Sequence, residues 1–248
     1  MTAHNNSISN AGVGEAIVLL TGPTSGLGLA MFNLLRSRAA VTIAAGRHIH
    51  RLADAAGSST SPDVILVEAD FGTLSTDQWI DAIKRELYAV LDAYPRRTLV
   101  FLNNAGTIEP LGGATDLDLG AIRRATQINF IAPVAIATMM VRLVEQTGHR
   151  FRIVNITTGA AKHPIAGWLA YCASKAACQM AFDVMAMENP ILEMRHIDPG
   201  VIDTGMQARV RATGKVTAQG LALVDQVDLK SPASAAADVL ARAWGEAQ

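Results

Sequence analysis

The chain has 248 residues, a formal net charge of −1, half of its residues hydrophobic and 17% charged. That is enough chain for one large domain with a buried core, and too apolar for a disordered one. The near-zero charge gives no field that favours nucleic acid or an anionic membrane. The longest apolar stretch, Ile131–Val141, contains Pro133 and is too short to cross a bilayer. Residues 1–14 are polar and lack the basic start and apolar core of a secretion signal. They are expected to be a flexible leader on a cytoplasmic protein. Cys172 and Cys178 would lie about 9 Å apart along one helix, beyond disulfide reach, and are expected as reduced thiols. No metal site is expected.

Apolar β-rich runs at Ala16–Thr21, Val41–Ala45, Val64–Glu68, Thr98–Leu102, Arg152–Ile156 and Glu193–Ile197 predict strands covered on both faces. Between them, Gly26–Arg38, Ser75–Tyr94, Leu117–Gln146 and Trp168–Glu188 predict helices. This alternation predicts an α/β domain over residues 15–248, with a doubly wound parallel sheet flanked by helices and right-handed crossovers. Leu117–Gln146 is apolar on more than one face. It is read either as a core helix or as one that also packs against a second subunit in a homodimer or homotetramer. Ser231-Pro232 starts a last helix, a hydroxyl at the cap and proline in the first turn, and no strand follows it.

The first strand runs into Thr21-Gly22-Pro23-Thr24-Ser25-Gly26-Leu27-Gly28. Gly22 permits a tight turn, Gly26 lets backbone approach a pyrophosphate, and Gly28 lets helix and sheet pack closely. The helix N-terminus offers N–H groups and positive dipole to phosphates. Gly22, Thr24, Ser25, Gly26, Leu27 and Gly28 are therefore candidate cofactor contacts. A carboxylate ending the second strand would select the ribose hydroxyl of NAD. Here Gly46-Arg47-His48 stands there instead, and the Arg47 fork suits a 2′-phosphate, so NADP(H) is expected. Alternatively, Arg47 is a solvated surface arginine. Asp70, after the third strand, is read as an acceptor for the adenine amino group or as a turn former. Asn104, Ala105 and Gly106 close the fourth strand beside the cofactor.

Tyr171 lies thirteen residues after Thr158, and Lys175 follows one helical turn later. With T-G-x-x-x-G-x-G, N-N-A-G, Asn129 and Pro199-Gly200, the order and spacing resemble the short-chain dehydrogenases/reductases from about Ala16 to Met206. Gly167–Cys172 and Asp203–Gln207 are similar to the sepiapterin reductase and benzil reductase branch. The resemblance implies a Rossmann fold with strand order 3-2-1-4-5-6-7, here without the usual seventh strand. It implies a small-molecule carbonyl substrate, a ketone or α-dicarbonyl, reduced with NADPH. Tyr171 is then the general acid, and Lys175 binds the nicotinamide ribose and lowers the tyrosine pKa. Thr158, where the family usually has serine, donates to the substrate oxygen. Asn129 holds a water behind Lys175. Pro199, Gly200, Val201 and Thr204 contact the nicotinamide end, and Trp168 and Met206 wall the substrate. The segment 205–229 is a candidate lid. The missing C-terminal aspartate argues against a pterin. An oxidative alcohol dehydrogenase and a non-catalytic NADP(H) sensor remain as other readings.

Overall fold

The computed structural model describes residues 12–52, 63–73, 77–212 and 229–245. Six strands are present: β1 Ala16–Thr21, β2 Val41–Gly46, β3 Asp63–Glu68, β4 Thr98–Asn103, β5 Arg150–Ile156 and β6 Leu192–Ile197. All pairs are parallel, in the order β3-β2-β1-β4-β5-β6. The order reverses between β1 and β4, which opens a crevice at the carboxyl ends of those strands. No seventh strand occurs among the described residues. Beyond β6 the chain instead makes an isolated bridge, Ile202 with Lys230.

Seven helices accompany the sheet among the described residues: α1 Gly26–Leu35, α2 Asp77–Ala93, α3 Leu119–Thr126, α4 Ala132–Thr147, α5 Leu169–Glu188, α6 Gly205–Ala212 and α7 Pro232–Trp244. Alternation along β1 assigns its two faces. Ile17 and Leu19 point into the core shared with α2, α4 and α5. Ala16, Val18 and Leu20 point to the core shared with α1 and α7. Burial on both sides explains why β1, β2 and β4 read as nearly continuous apolar runs. Large apolar side chains left exposed include Leu169, Met180, Val184 and Met187, all on α5.

Three expected boundaries move for physical reasons. The helix expected over Gly26–Arg38 stops at Leu35, where a turn follows: Arg38 and Ala39 N–H both donate to the Leu35 carbonyl. The end of the expected leader carries structure, with a 3₁₀ turn at Val13–Glu15; residues 1–11 lie outside the described part. The single helix expected over Leu117–Gln146 is three pieces, with a π-turn at Gln127–Ile131 between α3 and α4. Pro133 has no amide to donate to the Asn129 carbonyl four residues back, so the α-helical ladder cannot pass through this point. Asp118 caps α3, accepting from Ala121 N–H at 2.8 Å. The run Leu119–Thr147 is long and apolar enough to cross a membrane by length and composition, but 61% of its most apolar 18-residue window is buried inside the fold. The candidate lid begins as α6, and residues 213–228 lie outside the described part.

The β6 edge is tied to α7 by charge. Arg152, buried in β5, places Nη2 2.7 Å from the Glu193 carboxylate and donates from Nη1 to the Ala243 carbonyl at 2.9 Å. Arg195 donates to the same carboxylate and, through Nη1, to the Arg242 carbonyl at 2.7 Å. Two guanidiniums thus cap the last turn of α7, where carbonyls lack helical partners and the dipole is negative. Arg152→Ala would leave the shared carboxylate to Arg195 alone and the Ala243 carbonyl of α7 uncapped. It should destabilise the protein by roughly 3–5 kcal/mol, read as a shift of the urea midpoint at unchanged slope.

Candidate active site

Strand ends at the crevice are joined by side chains rather than by more sheet. Thr21 Oγ1, at the end of β1, accepts from the N–H groups of Asn104 and Ala105 at 3.1 and 3.2 Å, and donates to Leu102 O at 3.3 Å. Asn104 Nδ2 donates back to the carbonyls of Thr21 and Gly22 at 2.9 and 3.1 Å. The turn of residues 22–25 is thereby fixed against the Asn104-Ala105-Gly106 loop. Gly22 has φ +67°, a left-handed backbone that glycine adopts without strain. At Gly28, a Cβ would drive into the Gly22 carbonyl oxygen and lie 2.6 Å from Asn104 Nδ2. The methyl of Thr204 would touch a Cβ at Gly26, at 3.1 Å, so the segment after Gly200 closes on the same turn. Ser25, Gly26 and Leu27 present the first turn of α1 to the crevice.

Arg47 follows β2 and is exposed. Glu68, the exposed acid at the end of β3, is bonded to the turn after β2: its two oxygens accept from His48 N–H and Ile49 N–H at 2.9 and 3.0 Å. That carboxylate shapes the Arg47-His48 turn, in which His48 has φ +57°. Asp70 accepts from Gly72 N–H at 2.9 Å and from Arg124.

Asn129 sits in the π-turn and clamps the loop after β4. Its Oδ1 accepts from Thr107 N–H at 2.8 Å, and its Nδ2 donates to Thr107 O at 2.8 Å and to Ser174 Oγ at 3.0 Å. Ser174 belongs to α5, between Tyr171 and Lys175, and bonds back to Tyr171 O. One buried amide therefore fixes both the cofactor-side loop and the helix carrying the Tyr-Lys pair. Lys175 is buried, with Nζ donating to Ile156 O at 2.9 Å. A Cβ at Gly106 would lie 3.4 Å from Asn129 Oδ1 and 3.8 Å from Lys175 Nζ, so those two groups and the loop meet at one point.

Tyr171 is buried against the edge of Trp168, ring centroids 5.9 Å apart, and shares a hydrogen bond with Thr158. Desolvation pushes its phenol up to about 12; the Thr158 bond pulls the other way, and Asp198 and Cys172 add to the rise. Burial lowers the Lys175 pKa. The sequence predicts that Lys175 lowers the tyrosine, and here the structure differs. The ammonium is engaged by a backbone carbonyl and itself desolvated, and burial governs the phenol. Ile108, Leu111, Ala160 and Val210 complete an apolar cluster around Trp168 and Tyr171, with Met206 and Cys172 packed against it. Gly200, with φ +78°, donates its N–H to Asp198 at 2.8 Å, and Val201 O accepts from Lys230 N–H.

Behind α5, three adjacent strands carry a row of polar side chains that composition does not reveal. Asn103 is paired with Asn155, and Asn155 with His196, in strand register. Asn103 Nδ2 donates to Asn155 Oδ1 at 2.9 Å, and Asn155 Nδ2 meets His196 Nδ1 at 3.0 Å. His196 Nε2 meets Asp183 at 2.9 Å. The direction follows from the amides: Nδ1 is the acceptor and Nε2 carries the proton. Asn103 also reaches Cys178 Sγ at 3.8 Å, whose thiol burial pushes up to about 11. Thr21, Ser174, Asn103, Asn155, His196 and Arg124 were outside the sequence-level site. A polar residue in an otherwise apolar strand was the available signal for Asn155 and His196.

Residues 16–215 match the short chain dehydrogenase family. The chain is 31% identical over 212 residues to a benzil reductase ((S)-benzoin forming) of Bacillus subtilis, covering 80% of this chain and 79% of that protein. It is 30% identical over 219 residues to the sepiapterin reductase of Mus musculus, covering 82% and 81%. A solved short-chain dehydrogenase from Sphingobium yanoikuyae, in complex with NADPH, superposes with a TM-score of 0.73 at 22% identity, over 91% of this chain and 82% of that one.

The packing at Gly28 gives a direct test of the turn. Gly28→Ala should destabilise the fold by at least about 2 kcal/mol, since the added methyl meets backbone that cannot rotate away. Thermal melting checks it.

Proposed function

The chain belongs to the short-chain dehydrogenase family and is an oxidoreductase of that family, and on that premise we propose that it is an NADP-dependent carbonyl reductase acting on ketones or α-dicarbonyls. The observation that carries this reading is Tyr171, buried beside Thr158 on the helix that Asn129 and Lys175 hold to the sheet. The phenol is protonated at neutral pH, which suits an acid that delivers a proton to a carbonyl oxygen. Thr158 would donate to the same oxygen, a bond that strengthens as negative charge grows. The apolar walls formed by Trp168, Leu111 and Val210 exclude water there.

The residues of the crevice fit a dinucleotide. The glycine turn and the start of α1 offer N–H groups without side chains in the way, and Gly106 leaves room beside Lys175 Nζ. When bound, NADPH supplies the hydride from its nicotinamide ring. Lys175 would hold the adjacent ribose, and Thr204 and Val201 the carboxamide end. NADP rather than NAD is favoured because Arg47 is exposed while Glu68 is consumed by backbone N–H groups. The benzil and sepiapterin reductases among the relatives support a dicarbonyl substrate. Trp168 Nε1, buried with no hydrogen-bond partner, supports it as well, since a second substrate oxygen would satisfy it.

The experiment is NADPH oxidation over a panel of diketones, quinones, aldehydes and pterins, with Tyr171→Phe as the control. The variant should lose turnover by roughly 10²- to 10⁴-fold and keep NADPH binding; an active variant would remove Tyr171 as the acid. The pH dependence has a sign. The acid form persists up to about 12 in the free protein, so reductive kcat/KM should show no loss of this acid across neutral pH. The reverse oxidation needs the ionised phenol and should rise with pH. Arg47→Ala should weaken NADPH by about tenfold or more and leave NADH nearly unchanged; equal losses would count against the NADP assignment.

A further inference from the structure

We infer that Arg124 is a positioning residue of the nucleotide site, holding the Asp70 carboxylate where the adenine amino group is received. The inference rests on the dinucleotide reading above. Asp70 lies just past the carboxyl end of β3, on the β3-β2-β1 side of the reversal in strand order, where the nucleotide half of a dinucleotide belongs. Arg124 reaches it from α3. One nitrogen, Nη2, lies 3.3 Å from both Asp70 oxygens, and Nη1 donates to the Gly72 carbonyl at 3.3 Å. Asp70 Oδ1 also accepts from Gly72 N–H.

The fork therefore grips three acceptors on one turn. It lies against Gly72 so closely that a Cβ there would be 2.5 Å from Arg124 Cζ and 2.7 and 2.8 Å from its two terminal nitrogens. Only a residue without a side chain lets the guanidinium settle. Partial burial pushes the Asp70 carboxyl up, but Gly72 N–H, the Arg124 fork and the Arg47 charge together take it below its ordinary value. Asp70 is then an ionised acceptor of fixed orientation. Its side chain remains 37% exposed, and among the described residues Oδ2 is bonded to Arg124 alone, which leaves that oxygen a lone pair for an exocyclic amine. Arg124 stands five residues before Asn129, so the segment that seats the Tyr-Lys helix also sets the far end of the cofactor crevice.

The competing possibility is an exposed ion pair that only latches α3 to the loop after β3. Two substitutions separate them. Arg124→Ala removes the fork. Gly72→Ala keeps the arginine but displaces its flexible end from Asp70, with the backbone undisturbed. Affinity for 2′,5′-ADP, which has the adenine half and no nicotinamide, is measured calorimetrically, with melting temperature alongside. Both variants should weaken 2′,5′-ADP by roughly three- to tenfold. The loss should fall on KM for NADPH rather than on kcat, and Arg124→Lys should recover part of it. Unchanged 2′,5′-ADP affinity in both variants would overturn the inference, whether or not the melting temperature falls. If the unaltered protein binds neither 2′,5′-ADP nor NADPH, the dinucleotide reading itself fails and takes this inference with it.

Discussion

The site depends on closing a gap that the sheet itself creates. Where strand order reverses, β1 and β4 are hydrogen-bonded neighbours whose following segments leave in opposite directions. Nothing in the ladder holds those segments together. The Thr21 hydroxyl and the Asn104 amide do, with five hydrogen bonds between residues about eighty positions apart. Each of those bonds satisfies a backbone group that would otherwise be left at a strand end, where an unmet partner costs about 1–3 kcal/mol. The glycine turn and the Gly106 loop take their relative position from that stitch. The absence of a side chain at Gly28 is what allows the two to approach.

A second set of polar contacts transmits this geometry to α5. Apolar packing alone would let a helix slide or rotate on a sheet by small amounts. Asn129 removes that freedom at Ser174, the bond from Lys175 to Ile156 O removes it at the next residue, and Thr157 with Gln179 removes it one turn beyond. The cost is a buried ammonium, which burial disfavours. The π-turn belongs to the same arrangement: Pro133 interrupts the helical ladder where Asn129 must face the loop rather than a helix surface.

Much of this was legible in the sequence because it follows from local rules. The central strands are apolar on both faces, so their runs are nearly unbroken, and every one of the six lies within two residues of its expected bounds. The Tyr171 to Lys175 spacing is one helical turn, and the glycine turn has a steric meaning at each position. Other features were illegible because they arise from distant partners. Pro133 was visible, but its effect on helix geometry depends on what Asn129 bonds to. Whether Lys175 or burial governs the phenol depends on where Nζ points, and Ile156 O decides that. Glu68 and Arg47 are twenty-one positions apart, and only the β2–β3 pairing brings the acid under the turn that carries the arginine.

The amide row across β4, β5 and β6 has an evolutionary consequence. Every member hands a hydrogen-bond donor to the next, so the direction set at Asp183 runs unchanged to Asn103. Replacing His196 by a residue with only a donor at that point would turn Asn155 around, and Asn103 after it. A change at one position is thus neutral only alongside compensating changes at the others. Residues 103, 155, 183 and 196 therefore constrain one another, and the direction of their bonds limits the order in which they can be altered.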